Sequence, residues 1–593
     1  MKGNFFKALC LLTGYAVLSS CGPDAPAPYG AVPSPQQVEW QKMEMNMFCH
    51  FGPNTFTSAE WGTGQEDADI FNPSAMDCRQ WASIAKAAGM KGIIITAKHH
   101  DGFCLWPNPV SRHTVAQSSW RDGKGDVLRE LSDACREYGL EFGVYISPWD
   151  RNDPAYGTDE YNEVFRQTLA SALGDYGPVF EQWFDGACGE GPNGKVQVYD
   201  WDLYHRTVYE YQPDAIIFSD TGPGCRWIGN EAGYAGRTCW SGLDTAGFAP
   251  GKSPHRDTLN CGNVHGKAWI PGEADVSIRP GWFYKDSEND KVKSLSDLLG
   301  IYYASVGRNS LLLLNVPPDK RGLIHSTDSL RLMEFRAALD KIFATDMSDG
   351  AAAEATAVRG DSPRFAASNI LDDNYDSYWT TDDGVTGASL VVDLGAQKTF
   401  NRIMLQEYIP LGQRVARFSV DVRDLSGGWT RAAEGTTIGY KRILLTDRLT
   451  TDAVRINIEK SYACPVLNGF GLYLDEIMGE TQAWDEPDDS GLVKESSEAL
   501  VIDLEEMKAA EGFYYTPRKK GKGGCIISYD LEVSRDGETW TRIYSDKMFE
   551  NIVNNPVRQE VRFDNPVELR HIRIIPLRTS ADGTYGVADF GVL

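Results

Sequence analysis

The sequence predicts a multidomain protein in which a (β/α)8-like barrel is followed by one or two β-sandwich domains. The length of 593 residues is enough for three or four domains at roughly 100–200 residues each. From residue 36 to 345, short apolar strands alternate with amphipathic helices, which is the rhythm of a parallel β/α barrel. Beyond residue 345, strands and turns alternate without helices, as they do in β-sandwiches.

Residues 1–21 are predicted to be a bacterial lipoprotein signal peptide. Two lysines accompany an apolar stretch, 5–18, that is too short to serve as a stable membrane anchor. The four residues that end the signal, Leu-Ser-Ser-Cys, resemble a lipobox, in which Cys21 receives the lipid; an ordinary signal peptide is the alternative. We therefore expect a cell-envelope lipoprotein, in the periplasm or on the outer-membrane surface, that reaches the membrane through its lipid anchor.

The elements follow in order along the chain. Residues 22–35, rich in Pro, Ala and Gly, are predicted to be a linker between the lipid and the first domain. Within the catalytic barrel, 36–345, the pattern predicts strands at 45–49, 92–97, 141–145, 179–184, 215–219 and 311–314, and helices at 126–138 and 159–176. The Gly-rich stretch 222–275 has few helix signals and predicts an irregular part of the barrel. The tail is predicted to form one sandwich over 346–480 and a second, sandwich-like domain over 481–593.

The charge balance excludes one class of partner. A net charge of −25 and a pI near 4.8 argue against nucleic acid, which attracts basic surfaces. The sixteen Trp and twenty-six Tyr residues offer aromatic faces that stack on sugar rings as well as filling cores. Apart from the signal, no stretch approaches the ~18 apolar residues of a membrane span, so the rest of the protein is expected outside the bilayer.

Polar and aromatic side chains follow the predicted barrel strands at the end where barrel active sites lie. These residues are His50, His99, His100, Tyr145 and Asp185. The histidines lack the spacing of a zinc motif, and the adjacent His99 and His100, placed on a strand, would point in opposite directions. We therefore expect no metal here, and hydrogen bonds from imidazole to sugar hydroxyls instead.

Two carboxylates are needed for glycoside hydrolysis, one ionised and one with a raised pKa that protonates the leaving oxygen. Asp185, at a strand end beside Trp183, is the candidate for the ionised carboxylate. Glu231 lies on a Gly-flanked loop where Trp227 is positioned to raise its pKa, and it is the candidate for the acid. Glu273, predicted on a later loop, is the rival for that second role.

Taken together, these motifs resemble the α-L-fucosidases of glycoside hydrolase family 29. The matching stretches are His50-Phe51-Gly52, Glu60-Trp61, Lys98-His99-His100-Asp101-Gly102-Phe103, Gly143-Val144-Tyr145, Trp183-Phe184-Asp185-Gly186, Asn230-Glu231-Ala232-Gly233, Asp275-Val276-Ser277-Ile278-Arg279-Pro280-Gly281-Trp282 and Leu314-Asn315-Val316-Pro317-Pro318. The resemblance implies an imperfect β/α barrel and a retaining mechanism with Asp185 as nucleophile. It implies that Glu231 is the acid/base of the branch that prefers α-1,3 and α-1,4 linkages, as in Lewis antigens. It also implies fucose contacts from His50, Glu60, Trp61, His99, His100, Tyr145, Trp183 and Trp282.

The tail resembles discoidin-type (F5/8 type C, galactose-binding-like) modules. The matching residues are Asn369-Ile370-Leu371-Asp372-Asp373, Tyr378-Trp379, Val392-Asp393-Leu394-Gly395 and, more faintly, Asp536-Gly537, Trp540 and His571-Ile572-Arg573. Such modules bind glycans or only brace the barrel. Some hold a structural calcium near the loop at 369–376, although an Asp- and Asn-rich loop is more often a simple turn. No cofactor is expected for catalysis.

The resemblance therefore implies an exo-acting, retaining α-L-fucosidase that releases L-fucose from fucosylated oligosaccharides or glycoconjugates. The alternatives are a non-catalytic glycan-binding lipoprotein on the same barrel and a fucosidase of broad linkage specificity. The 222–275 segment carries Trp227, Tyr234 and Trp240, which predict a second subsite for a galactose beside the fucose.

Overall fold

The computed structural model describes residues 23–252, 256–478, 493–518 and 523–593. The predicted signal peptide 1–21, with its lipobox Cys21, lies outside these ranges, so the lipid anchor stays a prediction. Among the helices of the described ranges, none combines the length and the apolar character that crossing a membrane requires.

Eight parallel strands close into a barrel, which confirms the predicted fold class for this part of the chain. The strands of the first 345 residues are β1 Met45–Cys49, β2 Gly92–Lys98, β3 Glu141–Ile146, β4 Glu181–Trp183, β5 Ile216–Ser219, β6 Cys225–Trp227, the hairpin pair β7 Gly242–Leu243 and β8 Ala268–Trp269, β9 Gly272–Ser277 and β10 Ser310–Asn315. Around the barrel the order is β1-β10-β9-β6-β5-β4-β3-β2, and the hairpin stays outside it. The carboxyl ends of all eight strands therefore meet at one mouth.

Helices surround this barrel. They are α1 Pro35–Met43, α2 Pro53–Thr57, α3 Cys78–Ala87, α4 Val127–Tyr138, α5 Asp159–Gly174, α6 Trp201–Tyr211, α7 Arg256–Cys261, α8 Leu295–Ser305 and α9 Ser326–Phe343. Helix α4 illustrates why they form. The Asp126 side chain accepts from the backbone N–H of Arg129, Leu128 and Leu131 are buried against the barrel, and Gly139 ends the helix at φ 64°.

The barrel is irregular where the Gly-rich stretch 222–275 predicted it. Strands β5 and β6 are separated by only the residues 220–224, so no helix intervenes, and the hairpin and α7 fill the long connection from β6 to β9. Strands β6 and β9 were not predicted from the sequence. Strand β6 has only three residues. Strand β9 has the sequence Gly-Glu-Ala-Asp-Val-Ser, and its two carboxylates, which are more typical of a loop, are accommodated inside this barrel.

Two antiparallel sheet domains follow, as predicted. The first contains β11 Ala352–Ala355, β12 Trp379–Thr380, β13 Ala388–Glu407, β14 Val415–Arg423, β15 Trp429–Gly435, β16 Arg442–Ser461 and β17 Val466–Tyr473. The second contains β18 Val493–Ser496, β19 Leu500–Pro517, β20 Ile526–Ser534, β21 Trp540–Met548, β22 Gln559–Thr579 and β23 Tyr585–Val592. The longest strands carry register shifts, which bend a strand, and each domain encloses its own apolar core.

The first sandwich docks on the barrel at the amino end of β10. The backbone N–H of Tyr440 donates to Asn309 Oδ1 at 2.8 Å. Asp475 is fully buried, and its Oδ2 accepts from the Tyr303 hydroxyl at 2.9 Å and from Arg402 Nη2 at 2.8 Å. Buried charged and polar groups therefore join this sandwich to the barrel on the side opposite the mouth.

The predicted linker 22–35 is not a free tether over its described part. Arg359 Nε donates to the Asp24 carbonyl at 2.6 Å, and Arg414 Nη2 donates to the Ala27 carbonyl at 2.7 Å. The segment lies along the first sandwich, because its Pro-rich backbone leaves carbonyl groups that these arginines satisfy. Composition alone could not show that contact.

The Asp- and Asn-rich loop 369–376 forms a hydrogen-bonded turn. Asp372 Oδ1 accepts from the Asn374 backbone at 3.0 Å, and Asp372 Oδ2 accepts from Ser377 Oγ at 2.6 Å. Asn374 Oδ1 accepts from the Asp376 backbone at 3.2 Å. These oxygens already serve the turn, and a structural calcium at this loop stays a prediction.

Candidate active site

A cavity of about 920 Å³ opens at the carboxyl ends of the barrel strands. The cavity is lined by all ten residues that the resemblance assigns to catalysis or to fucose contact, namely His50, Glu60, Trp61, His99, His100, Tyr145, Trp183, Asp185, Glu231 and Trp282. The barrel topology explains this convergence, because these residues lie at or beyond the carboxyl ends of different strands.

Asp185 lies two residues beyond the end of β4, and its side chain is about a quarter exposed, at 27%. Tyr145 donates its hydroxyl to Asp185 Oδ2 at 3.0 Å, and the Ala187 backbone donates to Oδ1 at 2.7 Å. The next residue must be glycine, since a Cβ at Gly186 would lie 2.3 Å from the Gly251 nitrogen. Both carboxylate oxygens are thus held in place while the side chain remains open to the cavity.

The adjacent His99 and His100 both line the cavity, so the expectation that they point in opposite directions is wrong. They follow β2 rather than lying on it, and the turn brings their ring centroids to 4.2 Å. His100 Nδ1 is paired with Ser147 Oγ at 2.8 Å, and His100 Nε2 lies 3.7 Å from Asp185 Oδ2. Burial lowers the pKa of His100 to about 4, so this imidazole is neutral near pH 7.

The tautomer of His50 follows from its neighbours. Asn315 Nδ2 donates to Ser277 Oγ and to the Trp282 carbonyl, each at 2.9 Å. Asn315 Oδ1 is therefore the acceptor for His50 Nδ1 at 2.9 Å, which places the proton on Nδ1. Burial lowers the pKa of His50 to about 3, so His50 Nε2 is a bare acceptor for a ligand hydroxyl.

Stacked aromatic rings form the floor of the cavity. Trp183 stacks on Phe218 with centroids 3.9 Å apart, and Tyr145 stacks on Trp183 at 5.2 Å. Within the described residues, the buried Trp183 Nε1 and His99 Nδ1 have no hydrogen-bond partner. Because buried polar groups are normally paired, both atoms are suited to the hydroxyl groups of a bound ligand.

Glu231 is the second carboxylate of the cavity. Trp282 Nε1 donates to Glu231 Oε2 at 2.7 Å, and Asn551 Nδ2 donates to the same oxygen at 2.9 Å. Burial raises the pKa of Glu231 to about 8; the two hydrogen bonds oppose this rise, and the charges of Asp185 and Glu60 add to it. Glu231 therefore holds a proton at neutral pH.

Trp282 is the tryptophan that is hydrogen-bonded to this acid, and a contribution of Trp227 to the raised pKa of Glu231 stays a prediction. Trp227 lines the cavity but donates its Nε1 to Asp275 Oδ1 at 3.0 Å. Trp282, singled out from the resemblance as a fucose contact, supplies the hydrogen bond to Glu231. Glu60 supports it, because Glu60 Oε2 accepts from the Trp282 backbone at 2.9 Å and Glu60 Oε1 lies 2.6 Å from Lys285 Nζ.

Glu273, the rival for the acid, does not reach the cavity. It lies on β9 rather than on a loop, is fully buried, and is hydrogen-bonded to Glu181 inside the barrel. Burial and the neighbouring Glu181 raise the pKa of Glu273 well above its usual range. The pair forms because both side chains point into the same barrel interior, where one shared proton avoids two buried charges.

The expected galactose subsite is not built as predicted. Trp240 is buried and packs on Tyr462 of the first sandwich, with ring centroids 6.0 Å apart. Trp240 and Tyr234 are both absent from the cavity lining, and the 222–275 segment contributes Trp227, Glu231, Gly247, Gly251, Lys252 and Asp275 instead. The connection folds back on the sandwich, which removes Trp240 from the mouth.

Several lining residues were missed from the sequence. They are Val196, Gln197 and Val198 on the loop after β4, Asp220 and Asp275 at strand ends, and Asn551 and Asn554 of the second sandwich. Asp275 was recoverable, since it stands within a quoted motif at the end of a strand. Nothing in the sequence indicated the two asparagines, because they lie in a tail loop far from the motifs; Asn551 is 320 positions from Glu231.

The arrangement brings together one ionisable carboxylate with oriented oxygens and one carboxyl group held protonated. This asymmetry is what retaining glycosidases use for a nucleophile and an acid/base. Neutral imidazoles, an unpaired indole N–H and stacked rings around them suit a sugar ring with several hydroxyl groups.

Comparison with known proteins agrees with this chemistry. The family described as alpha-L-fucosidase matches residues 27–341, and the F5/8 type C domain matches residues 352–469 and 474–589. Alpha-L-fucosidase 1 of Arabidopsis thaliana is 41% identical over 482 residues, which cover 81% of this chain and 94% of that protein.

Solved structures give the same result over different shares of the chain. A glycoside hydrolase 29 family member from an unknown rumen bacterium is 38% identical, with a TM-score of 0.67, covering 95% of this chain and 100% of its own. A family 29 fucosidase of Ruminococcus gnavus, solved in complex with fucose, is 33% identical, with a TM-score of 0.72, covering 77% of this chain and 98% of its own. The chain thus belongs to the alpha-L-fucosidases of glycoside hydrolase family 29.

Proposed function

We propose that this protein is an exo-acting fucosidase in which Asp185 is the nucleophile and Glu231 the acid/base. The observation that carries the proposal is the asymmetry of the two carboxyl groups in one cavity. Asp185 is oriented by Tyr145 and the Ala187 backbone, whereas burial raises the pKa of Glu231 to about 8. Their environments thus match the two roles of a double displacement.

In the first step, an Asp185 oxygen attacks C1 of the fucosyl residue and forms an ester. The bond from C1 to the glycosidic oxygen breaks, and Glu231 gives its proton to that oxygen as the rest of the glycan leaves. In the second step, ionised Glu231 takes a proton from water while the water oxygen attacks C1. The ester bond breaks, which regenerates Asp185 and releases L-fucose.

The surrounding side chains are proposed to orient the fucose. His50 Nε2 is an acceptor, and His99 Nδ1 and Trp183 Nε1 are buried without a hydrogen-bond partner among the described residues. The stacked aromatic rings of the cavity floor support the apolar face of the fucose ring. Glu60, Trp61, His100, Tyr145 and Trp282 complete the proposed contacts. Neutral imidazoles fit this role because they donate at one nitrogen and accept at the other.

We also propose a preference for α-1,3/1,4-linked fucose in branched, Lewis-type glycans. Support comes from the motif around Glu231 and from a cavity of about 920 Å³, at the upper end of the range that accommodates drug-sized ligands. Val196 and Val198, which line this cavity, are 54% and 81% exposed and offer apolar surface to a second sugar. A branched substrate places such a sugar beside the fucose, so its binding energy is available in the transition state.

Two measurements test these proposals separately. The value of kcat/KM on a Lewis a or Lewis x trisaccharide should exceed that on 2′-fucosyllactose by more than about tenfold, which corresponds to about 1.4 kcal/mol. Equal or reversed values would favour a fucosidase of broad linkage specificity. For the acid/base, Glu231→Ala should lose most activity on poor leaving groups and regain turnover of an activated aryl fucoside with azide.

The lipid anchor remains part of the proposal for the whole protein. It is supported only by the lipobox at 18–21, with Cys21 as the acceptor. In a bacterial host, the chain should fractionate with membranes, and Cys21→Ala should release it or leave its signal uncleaved. Equal fractionation of the two forms, with the signal cleaved from both, would refute the anchor without affecting the enzyme.

A further inference from the structure

The loop 549–555 of the second sandwich, here called the mouth loop, lies in the mouth of the barrel cavity. It joins β21 to β22. Phe549 and Ile552 are buried in the core of the sandwich, while Asn551 and Asn554 line the cavity. Asn551 has a φ of 55°, a left-handed conformation that asparagine tolerates, and the loop closes on itself through the Asn555 backbone donating to the Asn551 carbonyl at 2.9 Å. The loop is therefore anchored in its own domain and presents polar residues to the barrel.

The mouth loop forms hydrogen bonds with three barrel segments that carry residues of the site. Glu550 Oε2 accepts from the backbone nitrogens of Glu60 and Trp61 at 3.0 and 3.2 Å. Asn555 Nδ2 donates to the Pro280 carbonyl at 2.9 Å, two residues before Trp282. Asn551 Nδ2 donates to Glu231 Oε2 at 2.9 Å. A surface that only braced the barrel would not need to contact each of these segments.

The position of Asn551 on Glu231 is specific to one oxygen. Trp282 from the barrel and Asn551 from the sandwich both donate to Oε2. Two donors on the same oxygen fix the plane of the carboxyl group and direct the transferable proton to Oε1. Because an acid/base protonates the leaving group, Asn551 and Asn554 lie on the side of the cavity where the leaving sugar passes.

We propose that the second sandwich is a structural part of the active site, in which Asn551 positions Glu231 and Glu550 holds the turn of Glu60 and Trp61. The proposal rests on the role of Glu231 given above. Asn551 and Glu550 are thus positioning residues, and Asn551 and Asn554 form the wall that the leaving sugar meets.

A pH profile reports this contact, because an amide donor stabilises the ionised form of a carboxyl group. The charged groups that face Glu231 are Asp185, Glu60 and Asp275, and each favours its protonated form. Asn551 and Trp282 oppose them. Removing the amide of Asn551 should therefore move the alkaline limb of kcat/KM to higher pH, and a carboxylate in its place should move it further.

The experiment compares Asn551→Ala, Asn551→Asp and the control Val553→Ala in the full chain. Val553 stands on the same loop and is 37% exposed. For Asn551→Ala we expect an upward shift of the alkaline limb by about one pH unit and a loss of about tenfold in kcat/KM on a fucosylated trisaccharide. An activated aryl fucoside, which needs little protonation, should lose less than about threefold. Asn551→Asp should shift the limb further, and Val553→Ala should behave as the parent.

Two results would overturn the proposal. One is an Asn551→Ala protein with the parent's alkaline limb and equal losses on both substrates, which would make Asn551 a packing residue. The other is parental behaviour of all three variants. Failure of the acid/base assignment is distinguished by Glu231→Gln, since in that case Glu231→Gln itself would leave the alkaline limb and the leaving-group dependence unchanged.

Discussion

Asp185 and Glu231 are both carboxylic acids, and their neighbours separate their chemistry. A hydroxyl and a backbone N–H orient the oxygens of Asp185. Burial and the nearby charges of Asp185 and Glu60 hold the proton on Glu231, against two hydrogen bonds that favour its ionised form. The sequence located both residues through strand ends and motifs. It could not show that Trp282 and Asn551, rather than Trp227, bind Glu231, because side-chain pairing depends on how distant loops meet.

The raised pKa of Glu231 predicts the alkaline side of the pH profile. Glu231 must be protonated for the first step, so kcat/KM on an oligosaccharide should fall as pH rises through about 8. Its raised pKa places the loss above neutrality rather than near the ordinary value of about 4.3. Initial rates at subsaturating substrate from pH 6 to 10 measure this limb. Persistence of the same limb in Glu231→Gln, assayed with an activated aryl fucoside, would assign it to another group.

The length and composition of each strand decide which parts of the barrel can be predicted from the sequence. Strands such as β2, with a continuous apolar run, were evident from the sequence. Strands β6 and β9 were not, because β6 is three residues long and β9 carries Glu273 and Asp275. Glu273 and Asp275 are two residues apart, so both point to the same side of β9, into the barrel; Asp275 is closer to the carboxyl end of the strand and lines the cavity. Strand β9 thus supplies Glu273, which is paired with Glu181 in the barrel interior, and Asp275, which forms part of the cavity wall.

Because Glu273 lies on β9 and is buried away from the cavity, we expect it to be dispensable for catalysis. Glu273→Gln imitates the protonated carboxyl group, so it should fold, retain activity within about threefold and keep the alkaline limb of the parent. Glu273 has a pKa raised in the folded state, so its contribution to stability is present below about pH 4.3 and is lost as pH rises toward the folded pKa. The variant should therefore lose less stability between pH 5 and 8 than the parent. Loss of the leaving-group dependence in Glu273→Gln would instead restore its candidacy as the acid.

At the scale of the whole molecule, the two sandwiches contact opposite ends of the barrel. The first is joined near the amino end of β10 through Asn309 and the buried Asp475, and the second reaches the mouth through Glu550 and Asn551. The sequence predicted the two sandwich-like domains from alternating strands and turns. It left their contacts open, because residues that meet across domains follow no periodic pattern along the chain.

The interface between the barrel and the first sandwich predicts a large effect on stability. Asp475 and Arg402 are almost fully buried, and Asp475 also accepts from Tyr303. Asp475→Ala leaves a buried guanidinium without its carboxylate, which should lower the free energy of unfolding by about 3–5 kcal/mol. Urea titration followed by tryptophan fluorescence measures the change. Glu434→Ala, which removes an exposed partner of Arg431, is the control and should change stability by less than about 1 kcal/mol; a similar effect of both variants would refute the interpretation.

If Asp185 forms the covalent bond to fucose, that bond can be trapped and located. The protein would be incubated with 2-deoxy-2-fluoro-L-fucosyl fluoride, whose fluoride leaves without protonation while the 2-fluoro group slows hydrolysis of the ester. Mass spectrometry of the intact chain and its peptic peptides should show one fluorofucosyl group, carried by Asp185. A label on Glu60, Asp220 or Asp275, which line the same cavity, would contradict the assignment.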